Sequence, residues 1–278
     1  MDIKAFESKV KKTVKDYNLL SKKDKIIVAI SGGKDSMTVL YLLKKWKYNV
    51  SALHINLEMG EWSKKHLENI REFCKQLKVP LHVYSVRDEF GKSMCFIKTA
   101  VKAKAKLQDC TICGILRRWL INRKAKLLKA DKLVTGHNLD DAAQTVLMNY
   151  FKGNLKIGIN EGPYVGIIQD KRFVQRIKPL YFMLEKNVEE YSKKMNFPVI
   201  YERCPCVFGA YRHDIRKTLD ELEKKNPGLK ENIVTSFLST LSSIRKSIKK
   251  TKPFYCKSCG ELSRNEICKA CLIIEKIK

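Results

Sequence analysis

The chain has 278 residues and a formal net charge of +27, from 56 lysines and arginines against 29 acidic residues. That length can bury a full core, and charge repulsion of that size, spread along the whole chain, points to a folded RNA partner rather than a small acidic substrate. No apolar run approaches a membrane span and the N-terminus is charged, so no membrane is expected; the ten cysteines are placed in a reducing cytoplasm, where metal or redox chemistry is expected rather than disulfides.

Residues 1–20 read as an amphipathic helix, with Phe6, Val10, Val14 and Tyr17 on one stripe. The run Lys25–Ile30 then reads as a strand. It breaks into Ser31-Gly32-Gly33-Lys34-Asp35-Ser36 and a helical pattern over Met37–Trp46. A strand, a glycine turn and a helix N-terminus aim backbone N–H groups and a positive dipole end at one point, which suits phosphate. Lys34 adds a cation. Asp35 would be repelled in a phosphate cradle unless a cation bridged it, which points to Mg2+. The bland alternative is an ordinary strand–helix turn. The segment resembles the PP-loop of the N-type ATP pyrophosphatases, Ser-Gly-Gly-x-Asp-Ser. Those enzymes split ATP between the α- and β-phosphates and adenylate a substrate oxygen.

Further strands are predicted at Asn49–Asn56, Leu81–Val86, Lys132–Gly136, Phe173–Ile177 and Pro198–Tyr201. Helices are predicted at Ser63–Leu77 and Ile112–Leu128 between them. Strands alternating with helices argue for an α/β, Rossmann-like parallel sheet flanked by helices, with ligands at the carboxyl ends of the strands. Helices over Ala210–Lys225 and Leu229–Lys249 follow, parted by Asn226-Pro227-Gly228. The expected organisation is an N-terminal helix (1–20), a catalytic domain (21–205), a helical extension (206–250) and a small cysteine module (251–278).

Cys110-x-x-Cys113-Gly114 opens a basic helix, where the dipole lowers thiol pKa. Cys204-Pro205-Cys206 follows the last predicted strand. A dithiol relay, a zinc site and an iron–sulfur cluster are all open readings of these residues. Val134-Thr135-Gly136-His137-Asn138-Leu139-Asp140-Asp141 closes a strand and opens a helix at the ligand edge. Gly136 allows close approach there. Asp140 or Asp141 could hold Mg2+ or cap the helix, and His137 reads as a packed, hydrogen-bonded residue. Cys256-x2-Cys259-x8-Cys268-x2-Cys271 presents four thiolates to one ion, and Zn2+ is expected. Cys74 and Cys95 are assigned no role.

Taken together, Asp109–Arg118, Thr135–Asp141 and Cys204-Pro205, in that order behind the PP-loop, look like the tRNA 2-thiolation enzymes. In that family ATP adenylates the 2-oxygen of a tRNA uridine, and a sulfur species then replaces it. The resemblance implies a 4Fe–4S cluster on Cys110, Cys113 and Cys204, while Cys206 stands where relatives usually lack a cysteine. It implies that ATP is lined by Ala29, Ser31, Gly32, Gly33, Lys34, Asp35, Ser36, Ile55, Gly136 and Asp141. Asp35 and Asp141 would act through Mg2+ and substrate orientation, and Arg117 would stabilise charge on the adenylated uridine. The partners implied are tRNA, at the wobble uridine, and a sulfur donor (sulfide or a ubiquitin-like thiocarboxylate protein); family members often dimerise. Many members begin with an additional N-terminal zinc module, where this chain starts with a lysine-rich helix. Two rival readings stand beside this one: a cluster-free persulfide or disulfide relay, and a zinc-ribbon RNA binder with a vestigial PP-loop.

Overall fold

The apolar run after Lys25 forms the central strand β1 (Ile26–Ala29) of a six-stranded sheet. In the computed structural model the residues described are 2–105, 107–153, 158–165, 173–202, 204, 211–247 and 254–277. The other strands of the sheet are β2 (Val50–Asn56), β3 (Leu81–Ser85), β4 (Lys132–Val134), β5 (Tyr164–Val165) and β6 (Gln175–Ile177). Their order is β3-β2-β1-β4-β6-β5. The pairs β3–β2, β2–β1, β1–β4 and β4–β6 are parallel, and β5 lies antiparallel on β6, with Tyr164 opposite Ile177. The sheet is therefore mixed, which corrects the all-parallel expectation. A two-residue strand carries no period that a sequence could display.

Alternation along β1 splits the core in two. Ile26 and Val28 face a core shared with α1 (Ile3–Asp16), α2 (Lys34–Lys45) and α8 (Glu185–Lys194), where Phe6, Val10, Leu40 and Tyr191 are buried. Ile27 faces the opposite core, built on α5 (Met94–Lys104) and α6 (Asp109–Leu127) through Ile97, Ile112, Leu116 and Leu120. The remaining helices of the α/β region are α3 (Glu61–Gln76), α4 (Val86–Phe90) and α7 (Leu139–Phe151). The stripe on α1 holds at Phe6, Val10 and Val14, but Tyr17 is a third exposed at the helix end.

Two further expectations change. Pro198–Tyr201 forms no strand. Proline has no N–H to give a ladder, and the Pro198 carbonyl instead accepts from Asn69 Nδ2 at 2.8 Å. The stretch between Val86 and Ile112, unassigned from sequence, folds into α4 and α5, capped by Ser85 and Ser93.

The C-terminal region is helical, as expected, in α9 (Tyr211–Lys225) and α10 (Leu229–Ser247). Ile215, Leu219 and Val234 from these helices bury against Leu139 and Ala143 of α7. Residues 249–253, a basic stretch that the sequence offers as a linker, and Cys206 lie outside the described residues. The cysteine module is a hairpin, β7 (Phe254–Tyr255) with β8 (Leu262–Ser263), followed by α11 (Lys269–Glu275). It packs on α6, with Ala270 and Ile273 in the same core as Leu116 and Leu120. Asn122 Nδ2 donates to Glu261 Oε2 at 2.6 Å across that junction. Among the described residues no helix is long and apolar enough to cross a membrane.

Candidate active site and metal centre

β1 lies between β2 and β4, so the strand order reverses at β1/β4. Ligands of open α/β sheets sit at the carboxyl ends of such strands. Two loops meet there, one from β1 and one from β4. In the first, the Ser31 N–H donates to Ser36 Oγ at 3.1 Å, and Ser36 Oγ donates to the Gly33 carbonyl at 3.0 Å. Gly32 adopts φ +84, and a Cβ there would stand 2.5 Å from His66 Nδ1. Gly33 is the N-cap of α2 and supplies no side-chain acceptor. A helix N-terminus without a side-chain cap suits an anion.

The second loop seats directly on the first. A Cβ on Gly136 would lie 2.7 Å from the Asp35 carbonyl carbon and 2.8 Å from the Ser36 nitrogen. The close approach permitted by Gly136 is to the loop backbone. Asn138 Nδ2 donates to Asp35 Oδ1 at 2.9 Å, tying the loops by side chain as well. Asn138 also caps α7 in a capping box: its Oδ1 accepts from the Asp141 N–H at 3.1 Å, and Asp141 Oδ2 accepts from the Asn138 N–H at 3.2 Å. Asp141 Oδ1 stands 3.6 Å from Arg212. Asp140 accepts from the Glu185 N–H at 2.7 Å and from Lys230 Nζ at 2.5 Å, so its oxygens are taken up in the fold.

The charges interlock. Lys34 Nζ contacts Glu185 Oε1 at 2.7 Å and Asp35 Oδ2 at 3.1 Å, while Arg216 donates to Glu185 Oε2 at 2.6 Å. Burial pushes the Asp35 carboxyl up, with Lys34 and Asn138 pulling the other way. Burial also works to raise Glu185, but Lys34 and Arg216 outweigh it and hold it below its ordinary value. Ala29 ends β1, and Ile55 lies buried near the end of β2 beside it. His137, on the exposed side of the second loop, bonds Thr135 Oγ1 at 2.9 Å.

Cys110 and Cys113 lie in the first turns of α6, Cys110 exposed and Cys113 half-buried. Cys113 and Cys204 pack against the same core. The three do not come together at the spacing of a single ion; among the described residues only Cys256, Cys259, Cys268 and Cys271 do, all ligand atoms within 4.8 Å of one another. The Cys256–Cys271 and Cys259–Cys268 sulfurs are 3.7 Å apart. Thiolates about 2.3 Å from one tetrahedral ion stand about 3.8 Å apart, so the four form a metal-binding site. Backbone N–H groups of Cys268, Cys259 and Ser258 outweigh burial and bring the Cys256 thiol down to about 6. Cys74 is buried, which pushes its thiol up to about 11 and leaves it inert.

Comparison with known proteins agrees with this geometry. The PP-loop domain family matches residues 3–202. A tRNA-5-methyluridine(54) 2-sulfurtransferase of Pyrococcus horikoshii is 36% identical over 266 residues, spanning 96% of this chain and 83% of that protein. The chain belongs to the PP-loop ATP pyrophosphatases of the tRNA 2-thiolation type. A probable sulfurtransferase of Methanocaldococcus jannaschii is 32% identical, spanning 99% of this chain and 81% of that protein. The structure of the U34-tRNA thiolase NcsA from Methanococcus maripaludis, with its 4Fe–4S cluster, superposes with a TM-score of 0.80 at 29% identity, covering 98% of this chain and 87% of that one.

Within this family member, sequence reasoning missed three groups at the loops. Asn138 was legible, since an Asn three residues before Asp141 at a helix start is a capping pattern. Glu185 was not: it lies 151 residues from Lys34 and in no motif. His66 is buried on α3, and only the fold brings it to the Ser31–Gly32 backbone.

Proposed function

We propose that the chain is an ATP-dependent tRNA 2-thiouridine synthetase acting in the cytoplasm. What carries the reading is the seam between the two loops, where Gly136 seats on the Asp35–Ser36 backbone and Asn138 links Asp35 to the helix that bears Asp141. The α2 N-terminus and Lys34 bind the ATP phosphates, with Ala29, Ser31, Gly32, Gly33, Ser36 and Ile55 around the nucleotide. Asp35 and Asp141 are the residues that would hold Mg2+ and orient the uridine. The uridine 2-oxygen attacks the α-phosphorus and pyrophosphate leaves. A sulfur nucleophile then attacks C2, the C2–O bond breaks, and AMP departs with the former uridine oxygen. Arg117, permanently charged, stabilises the negative charge that builds there.

Cys110, Cys113 and Cys204 are the residues that would hold a 4Fe–4S cluster. Three thiolates spread wider than single-ion spacing, two of them on one core, fit a multi-iron group that keeps one iron open, and that open iron is the chemistry it would supply. Zn2+ is the ion assigned to the four-cysteine set of the C-terminal module. Residues 21–205 act as the catalytic domain, 206–250 as a helical extension and 251–278 as the metal module. The sulfur donor is sulfide or a ubiquitin-like thiocarboxylate protein.

The likeness to a U34 thiolase supports the wobble uridine as target. A second reading, uridine 54, is favoured by the 36% identity to a sulfurtransferase of that position. The deciding experiment incubates anaerobically purified protein with ATP, sulfide and tRNA, then analyses RNA fragments by mass spectrometry. Sulfur in the anticodon fragment selects the wobble position and sulfur in the T-loop fragment selects position 54. An absence of thiolated nucleoside and of RNA-dependent AMP release overturns the function.

A further inference from the structure

The four-cysteine module is not used by this chemistry, yet it forms one wall of a cleft. The cleft has a volume of about 280 Å3 and lies between α6, the sheet and the module. Arg118, Trp119 and Asn122 of α6, Arg176 of β6, and Glu261 and Lys269 of the module line it, with the metal ligand Cys268 and apolar side chains making up the rest. No PP-loop residue lines it. Three of its side chains carry polar atoms without a partner just beneath the lining: Trp119 Nε1, Asn122 Oδ1 and Arg176 Nε. Such atoms cost free energy until something bonds them. Three cations face one carboxylate, and that carboxylate is already engaged, by Asn122 Nδ2 at 2.6 Å and by Lys126 at 3.7 Å.

We infer that this cleft is a nucleotide pocket, which takes one unstacked nucleotide of the RNA other than the reacting uridine. The donor set decides the chemical class. A carboxylate or a simple oxyanion offers acceptors only and would leave Asn122 Oδ1 unpaired. A nucleobase edge offers both an N–H and a carbonyl, matching Asn122 Oδ1 and Trp119 Nε1–H, and its phosphate meets Arg118 and Arg176. The Arg123 guanidinium lies 4.5 Å from the Trp119 ring centroid, so the indole offers its N–H edge rather than that face. Arg118 folds back along α6, its Nη1 3.1 Å from where a Cβ on Gly114 would be, beside Cys113. The Arg118 wall of the cleft therefore lies about one helical turn from Cys113. The pocket rests on the proposed tRNA substrate, and within that reading the metal module serves to close it.

The test uses the full chain, purified anaerobically, and an unmodified tRNA transcript. Trp119→Phe and Asn122→Leu are each expected to raise the tRNA Kd about fivefold while kcat at saturating tRNA holds. Arg176→Gln is expected to reduce the slope of log K against log salt by about one. Ultraviolet crosslinking of the wild type is expected to attach RNA to the peptide bearing Trp119, a readout that survives if a variant fails to fold. Unchanged Kd and salt slope with no such crosslink overturn the pocket. So does binding of a peptide ending in a free carboxylate that is lost in Arg176→Gln while tRNA binding is unaffected, which would assign the cleft to a protein tail. Wild-type protein that thiolates tRNA but fails these tests loses only the pocket; wild-type protein that thiolates no tRNA loses the proposed function itself.

Discussion

The cysteine module and the three cysteines proposed to hold a cluster set the same side chain in opposite surroundings. In the module four thiols converge within 4.8 Å and two of them, Cys256 and Cys271, are buried. Cys110, by contrast, is exposed and Cys113 and Cys204 are half-buried, and the three do not close on one ion. A closed set saturates its metal and supplies folding energy; an open set leaves room for a reactant. The module should therefore fail by unfolding and the open set by losing chemistry.

The sharpest test is a pair of serine substitutions. Cys113→Ser should lower thiolation roughly a thousandfold or more while changing unfolding free energy by less than about 1 kcal/mol. Cys271→Ser should do the reverse, releasing the module's metal and costing on the order of 3 kcal/mol in a denaturant melt. If both variants lost stability alike, the contrast would collapse. Next in size is Asp35→Asn. It should cut RNA-dependent AMP release about 10²- to 10³-fold with the circular dichroism spectrum intact, which places the failure of the sheet's ligand edge in catalysis.

Gly136→Ala probes the place where edge chemistry and folding coincide. Its methyl would have to displace the Asp35 backbone, at a cost of about 1–3 kcal/mol and with a raised KM for ATP. The smallest effect is expected from Glu185→Gln. Glu185 is held below its ordinary value of 4.5, so its stabilising contribution is complete above that pH and is lost as pH falls through the lower folded value. The variant should flatten the acid limb of the stability profile by about 1 kcal/mol. An unaltered limb would mean that the Lys34–Glu185–Arg216 contacts contribute nothing to the edge.

The same contrast governs what could be read beforehand. The spacing of the module's four cysteines and the loop Ser31–Ser36 are local patterns, in which residues close in sequence act together, and both were legible. So was β1, whose β-branched run ends on two glycines. Glu185 meets Lys34 only because α8 packs against α2, and β5 exists only because β6 offers it an edge. Pro198–Tyr201 misled in the other direction: its valine, isoleucine and tyrosine have strand propensity, but its proline faces a side-chain donor instead of a neighbouring strand. The docking of the module on α6 was also hidden, since Ala270 and Ile273 in a short cysteine-rich segment do not announce a shared core.

One helix joins the two cysteine sets. α6 begins with Cys110 and Cys113 and carries Asn122, the side chain that grips the module, further along the same 19 residues. A helix advances about 1.5 Å and turns about 100° per residue and cannot stretch. It is a ruler as well as a wall. Nine residues from Cys113 to Asn122 set a spacing of about 13–14 Å along its axis. A single inserted residue between them would swing the metal module around to another face of the protein, however perfectly each set of thiols was preserved. Selection on this stretch should therefore act on its length as strictly as on its residues.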